Sequence, residues 1–146
     1  MVTVSESIEI EVSIETVFEY LDDPHNHVEV TPSLSSVWNV EPLENGGKRL
    51  EFTYKMAGVG IDGELRETVH DPPHRLTFDM RGRLDGEIDL ELTEVGEHTR
   101  VTYTGTYEVP GKVLSSVTEP FVRRYNEREL QTTLQNLKSR LESDER

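Results

Sequence analysis

Residues 2–12 alternate between apolar and polar side chains. Val2, Val4, Ile8, Ile10 and Val12 share one parity and Thr3, Glu9 and Glu11 the other, the period-two pattern of a half-buried strand. Ser13 then offers an N-cap oxygen to a short helix whose apolar side is Val17, Phe18 and Leu21. Asp22-Asp23-Pro24 stops it, and residues 25–32 read as a second short helix or a loop. A second strand runs from Leu34 to Val40, with Trp38 on the even-numbered row of Leu34 and Val40. Asn45-Gly46-Gly47 is a hairpin signal leading to a third strand carrying Leu50, Phe52, Tyr54 and Met56. Gly58-Val59-Gly60 turns the chain into a fourth, with Ile61, Gly63, Leu65, Glu67 and Val69 on one parity. Beyond Asp71-Pro72-Pro73 a fifth strand shows Leu76, Phe78 and Met80, and beyond Gly82 a sixth shows Leu84, Ile88, Leu90 and Leu92. The seventh runs from Arg100 to Val109 with Val101, Tyr103, Tyr107 and Val109 inward, and Pro110-Gly111 closes it.

From residue 112 the period lengthens to three and four, through Val113, Val117, Phe121, Leu130, Leu134, Leu137 and Leu141, which predicts a helix over roughly 112–142. Pro120 removes a backbone donor and crowds the preceding turn, so it should kink or divide the helix, with a break expected near residues 118–120. Residues 143–146 read as a frayed tail. Runs of strands followed by one terminal helix predict an α+β fold, a curved antiparallel seven-stranded sheet wrapped around a long C-terminal helix, with two short helices after the first strand. One helix across a curved sheet tends to enclose a cavity.

Composition narrows the function classes. At 146 residues the chain has the size of one domain that needs neither disulfide nor metal to fold, and it has no cysteine. It has no apolar run approaching the ~18 residues of a membrane span and no basic-then-apolar start, so a cytoplasmic location is expected. With 29 acidic and 15 basic residues the net charge is −14, a field that repels nucleic-acid phosphate. Molar salt shrinks the Debye length to ~3 Å and relieves such self-repulsion, which suggests adaptation to a salty cytoplasm. Monomer and homodimer both fit.

The candidate chemistry is sparse. His25-Asn26-His27 with Glu29 reads as a metal nucleus or as a polar inter-helix loop; His70, His74 and His98 fall in turns or on outward parity, so no third ligand is expected from them. Asp85, Glu87, Asp89 and Glu91 alternate opposite Leu84, Ile88, Leu90 and Leu92 and form a wet face, with Arg75, Arg81 and Arg100 as cross-strand partners. Gly58-Val59-Gly60 lacks the helix start and Lys-Ser/Thr pair of a phosphate loop. Arg123, Arg124 and Arg128, interleaved with Glu127 and Glu129, read as an ion-paired solvated face. Hairpin counting sets Tyr54 over Gly63 and Tyr107 over Gly86.

What remains is an inward row. From the first hairpins come Trp38, Phe52, Tyr54, Met56, Leu65 and Glu67; from the later strands Phe78, Met80, Leu90, Tyr103 and Tyr107; from the helix Phe121 and Tyr125. Phenols in an apolar lining suit an aromatic or isoprenoid ligand with a few oxygens, while a filled core is the alternative. Glu67 is the odd member of its row, counted opposite Leu50 on one side and Phe78 on the other. A carboxyl desolvated there would be the candidate catalytic base, unless twist, a bulge or the cavity mouth lets it reach water or an arginine.

Several stretches resemble a known group. Residues 17–24 (VFEYLDDP) followed by Pro32, Asp71-Pro72-Pro73-His74-Arg75-Leu76-Thr77-Phe78, Thr99 to Thr102 with Tyr107 to Gly111, and Leu134 to Glu142 are similar to the START-like, Bet v 1-like (SRPBCC) superfamily, with its polyketide cyclase/dehydrase and coenzyme-Q-binding members. The resemblance spans nearly the whole chain and implies the helix-grip fold. It further implies a soluble carrier for a hydrophobic small molecule such as a lipid, quinone or polyketide-like compound, with a cyclase/dehydratase or a regulatory, client-binding domain as alternatives, and no cofactor or metal.

Overall fold

The computed structural model describes residues 1–56, 58–114 and 118–144. The order is β1 (Val2–Ile10), α1 (Ile14–Leu21), α2 (Pro24–Val30), β2 (Leu34–Pro42), β3 (Lys48–Met56), β4 (Val59–Asp71), β5 (Arg75–Gly82), β6 (Gly86–Val95), β7 (His98–Tyr107), α3 (Gly111–Leu114) and α4 (Glu119–Asp144). The seven strands form one antiparallel sheet in the order β1-β7-β6-β5-β4-β3-β2, so every neighbour is a hairpin partner except β1, which returns to pair with β7. This is the helix-grip α+β arrangement that the alternation predicts.

Local chemistry sets the helical corner. The Ser13 side chain accepts from Thr16 N–H and caps α1, and the Asp23 side chain accepts from His25 N–H and caps α2 with Pro24 in its first turn, where the missing donor has no use. Residues 25–32 are therefore mostly helix. The same logic places Pro120: it is the second residue of α4, so the proline opens the long helix and does not kink it. Val117 lies outside the described residues.

The core has two adjoining parts. Leu134, Leu137 and Leu141 of α4 pack with Ile10, Val17, Phe18, Leu76, Leu90 and Val101, and Val122 and Leu130 pack with Val2, Val4, Leu50, Phe52 and Met80. Burying each such side chain stabilises the fold by roughly 1.5–3 kcal/mol. At its N-terminal end the helix presents Val122, not Phe121, which is 53% exposed. The buried series 122, 126, 130, 134, 137, 141 is a regular three–four stripe, and Phe121 lies about 100° off it.

Register departs from the regular pattern at the β3–β4 hairpin and at irregularities in β2 and β4. Phe52, not Tyr54, pairs with Gly63, and Tyr54 pairs with Ile61, because the β3–β4 turn closes between Met56 and Val59. Leu50 consequently pairs with Leu65, and Glu67 lies beside Lys48 on that side while facing Phe78 on the other. A β-bulge between Leu34 and Ser36 shifts β2, so Val37 turns inward and Trp38 outward, and a further irregularity between Trp38 and Glu41 brings Val40 back to the core. In β4 a bulge between Glu67 and Val69 leaves Val69 40% exposed and turns His70 inward, against its predicted outward parity.

Candidate functional site

The sheet and the α1–α2 corner, with α4 across them, leave a partly enclosed cavity of about 120 Å³. Its walls are mainly apolar: Leu50, Phe52, Met56 and Leu65 from β3 and β4, Phe78, Met80, Ile88 and Leu90 from β5 and β6, and Leu130 from α4. A cavity of ~150 Å³ takes benzene, so this space holds about one ring-sized group, and a larger ligand must extend through the mouth or displace side chains.

One end of the lining carries phenols. Tyr54, Tyr103 and Tyr107 meet the cavity together with the buried Asn126 of α4; Asn126 Nδ2 donates to the Tyr107 hydroxyl, and the Tyr54 hydroxyl donates to Asn126 Oδ1 at 3.4 Å. Tyr107 can pack this closely because its partner is Gly86, where a Cβ would stand 2.7 Å from the Tyr107 Cα and 2.0 Å from the Thr106 carbonyl. Burial pushes the Tyr103 and Tyr107 phenols up to about 12 and raises Tyr54 well above its ordinary value. All three are therefore neutral hydroxyls at physiological pH, able to donate or accept one hydrogen bond each.

A second, ionisable group of side chains lies where the α1–α2 junction meets the start of β3. The Glu67 carboxylate is 3% exposed and accepts from the Lys48 backbone N–H at 3.0 Å and from His70 Nδ1 at 2.8 Å. Asp22 Oδ1 lies 3.6 Å from His70 Nδ1 and 3.3 Å from Lys48 Nζ, which also donates to the Asp22 carbonyl at 2.9 Å. Desolvation raises the Glu67 pKa against the opposing pull of His70 and the Lys48 N–H. The cradle is close-fitting: a Cβ on Gly47 would stand 2.7 Å from the Glu67 carboxyl carbon. Asp22, Lys48 and Glu67 line the cavity, and His70 stands behind them against the edge of Phe18. Asp22, Glu67 and His70 each offer one ligand atom, all within 4.8 Å of one another, so they are the described residues that could hold a cation.

Of the residues read as a binding lining, Phe52, Tyr54, Met56, Leu65 and Glu67 meet the cavity, as do Phe78, Met80, Leu90, Tyr103 and Tyr107. Trp38, Phe121 and Tyr125 do not: the β2 bulge turns Trp38 outward, Phe121 lies off the buried stripe, and the Tyr125 hydroxyl is hydrogen-bonded to Ser33 at 2.9 Å. Val37, Asn126, Asp22, Lys48 and His27 line it without having been selected. Asn126 was legible in the i, i+4 series Val122-Asn126-Leu130 and Lys48 in the period-two row Lys48-Leu50-Phe52-Tyr54-Met56; Val37 depends on a bulge, and Asp22 and His27 on the helical corner. His25 and His27 form no common nucleus, since His25 Nδ1 pairs with Asp23 and His27 Nε2 donates to the Leu21 carbonyl at 2.7 Å. The β6 acids do face solvent, with Arg75 reaching Asp89 and Glu91. Arg100, however, pairs with Glu9 of β1, and Arg81 with Asp79 of its own strand. Among the described residues no helix is long and apolar enough to cross a membrane.

The fold recurs in solved structures. TTHA0849 from Thermus thermophilus superposes with a TM-score of 0.83 at 20% identity, covering 97% of this chain and 98% of that one. A START superfamily protein from Mycobacterium smegmatis gives 0.78 at 15% identity over 97% of each chain. The Zhui aromatase/cyclase from Streptomyces sp. R1128 gives 0.73 at 16% identity, over 99% of this chain and 95% of that one. No curated protein matches the sequence. A family model described as polyketide cyclase / dehydrase and lipid transport matches residues 1–142, and with the helix-grip fold and internal cavity already in place, the chain belongs to that family.

Proposed function

We propose that the protein binds a hydrophobic small molecule, one ring or a short branched chain of which occupies the cavity, with oxygens directed to the phenol end. The observation that carries this reading is the combination of a mainly apolar lining with Tyr54, Tyr103, Tyr107 and Asn126 gathered at one place in it. Apolar walls supply affinity in proportion to area removed from water, and a few neutral hydroxyls orient the ligand without a charge to desolvate. An environment-sensitive apolar probe should bind once per native chain, and Leu65→Trp, which fills the cavity from the β4 wall, should block it. Since Trp38 faces outward, the readout is the probe's own emission. Probe binding only to heat-treated protein, or undiminished binding to a folded Leu65→Trp variant, overturns the reading.

A second reading is that of a cyclase or dehydratase. Its support is the buried Glu67 carboxylate on the cavity wall, held by His70 and the Lys48 N–H, where desolvation moves its pKa upward, the direction a general base needs. Glu67→Gln then abolishes turnover while leaving ligand affinity within a few fold. Unchanged turnover removes this residue from the chemistry.

A further inference from the structure

We propose that Asp22, Glu67 and His70 form a divalent transition-metal site, with zinc as the best-matched ion, on the wall of the cavity. The three residues come from separate places, the α1–α2 junction and the two sides of the β4 bulge, and the bulge is what aims His70 at the two carboxylates. Zinc held by nitrogen and oxygen at ~2.0–2.2 Å in a tetrahedron keeps its ligands roughly 3.3–3.5 Å apart. His70 Nδ1 stands 2.8 Å from Glu67 Oε2 and 3.6 Å from Asp22 Oδ1, distances that bracket that spacing. One imidazole and two carboxylates match zinc, iron(II) or manganese(II) better than the all-oxygen sets of magnesium or calcium, and zinc binds more tightly than either other ion in the usual order. Three protein ligands leave a coordination position open, and Asp22 and Glu67 both line the cavity.

Charge supplies a second, independent reason. Asp22 has an ammonium partner in Lys48, but the nearly inaccessible Glu67 is paired with His70 alone among the described cations. The group therefore holds two carboxylates against one permanent positive charge, in surroundings where an uncompensated anion is costly. A bound cation supplies the missing charge, and the Lys48 N–H then acts behind the metal, fixing the second oxygen of Glu67. The Lys48 ammonium, 3.3 Å from Asp22 Oδ1, competes with the ion for that ligand and must swing aside.

The test is calorimetric titration of zinc chloride into chelator-treated, full-length protein in molar KCl with no organic ligand present, so it stands apart from the binding reading above. Expected are one ion per chain, affinity lowered about 10-fold or more by Asp22→Asn and by His70→Gln, and affinity raised by Lys48→Met, which removes the competing charge. Asp89→Asn on the outer face, checked for folding by circular dichroism as the others are, should change nothing. Cobalt(II) in place of zinc should give the strong visible absorption of a four- or five-coordinate ion, lost in His70→Gln. Several weak sites that His70→Gln and Asp22→Asn leave unaltered, or cobalt showing only its hydrated spectrum, overturn the proposal and mean adsorption to the acidic surface.

Discussion

His27 shows how burial gives a single residue a pH signature. Its ring lines the cavity with Nε2 donating to the Leu21 carbonyl, and desolvation holds its pKa below the ordinary 6.5, outweighing that hydrogen bond and the attraction of Asp23 and Asp22. The folded state thus favours neutral imidazole. Above the unfolded value of about 6.5 neither state takes up the proton and the contribution to stability is complete; as pH falls from there towards the lower folded value, the unfolded chain binds a proton that the folded one refuses. We expect the urea midpoint to fall between about pH 7.5 and 5.5 and His27→Gln to flatten that part of the profile. Equal slopes in wild type and variant would show that other groups set it.

At the level of the element, α4 makes the clearest case. Its buried face is Val122, Asn126, Leu130, Leu134, Leu137 and Leu141, and the apolar Phe121 beside that face is 53% exposed. Leu134→Ala removes a side chain that is 2% exposed in the larger core cluster, and should lower stability by about 2–5 kcal/mol in urea unfolding. Phe121→Ala, although it deletes a larger side chain, should stay within about 0.5 kcal/mol. A large loss in Phe121→Ala would place the helix one residue out of phase with this description. Of the two outcomes a proline allows, a kink or a division, the chain takes the division: α3 and α4 are separate helices, and Pro120 fits the first turn of the second.

For the whole molecule the dominant quantity is the net charge of −14. The ion pairs described are mostly partly exposed, and pairs of that kind contribute ~0–1 kcal/mol each, too little to offset the repulsion of the surplus carboxylates. We expect the melting temperature to rise substantially between ~0.1 M and ~2 M KCl, because the folded state concentrates like charges more than the unfolded chain and salt screens them. A flat response over that range would count against adaptation to salt.

The sequence alone determined what local pattern can encode: the period-two strands, the Ser13 cap, the Asp23-Pro24 junction, the Leu130-Leu134-Leu137-Leu141 stripe and most of the apolar lining. Each of these depends on residues within one or two turns of each other. Tertiary structure decided the rest. In a strand, one extra residue reverses every side chain beyond it, and whether a bulge forms depends on the partner strand, so the bulges at Leu34/Ser36 and Glu67/Val69 put Trp38 outside and His70 inside with no local sign of either. The polar site followed from the same cause: Asp22, Lys48 and the Glu67–His70 stretch of β4 belong to three segments far apart in the chain, and only the assembled sheet with the helical corner upon it brings their charges within a few ångströms.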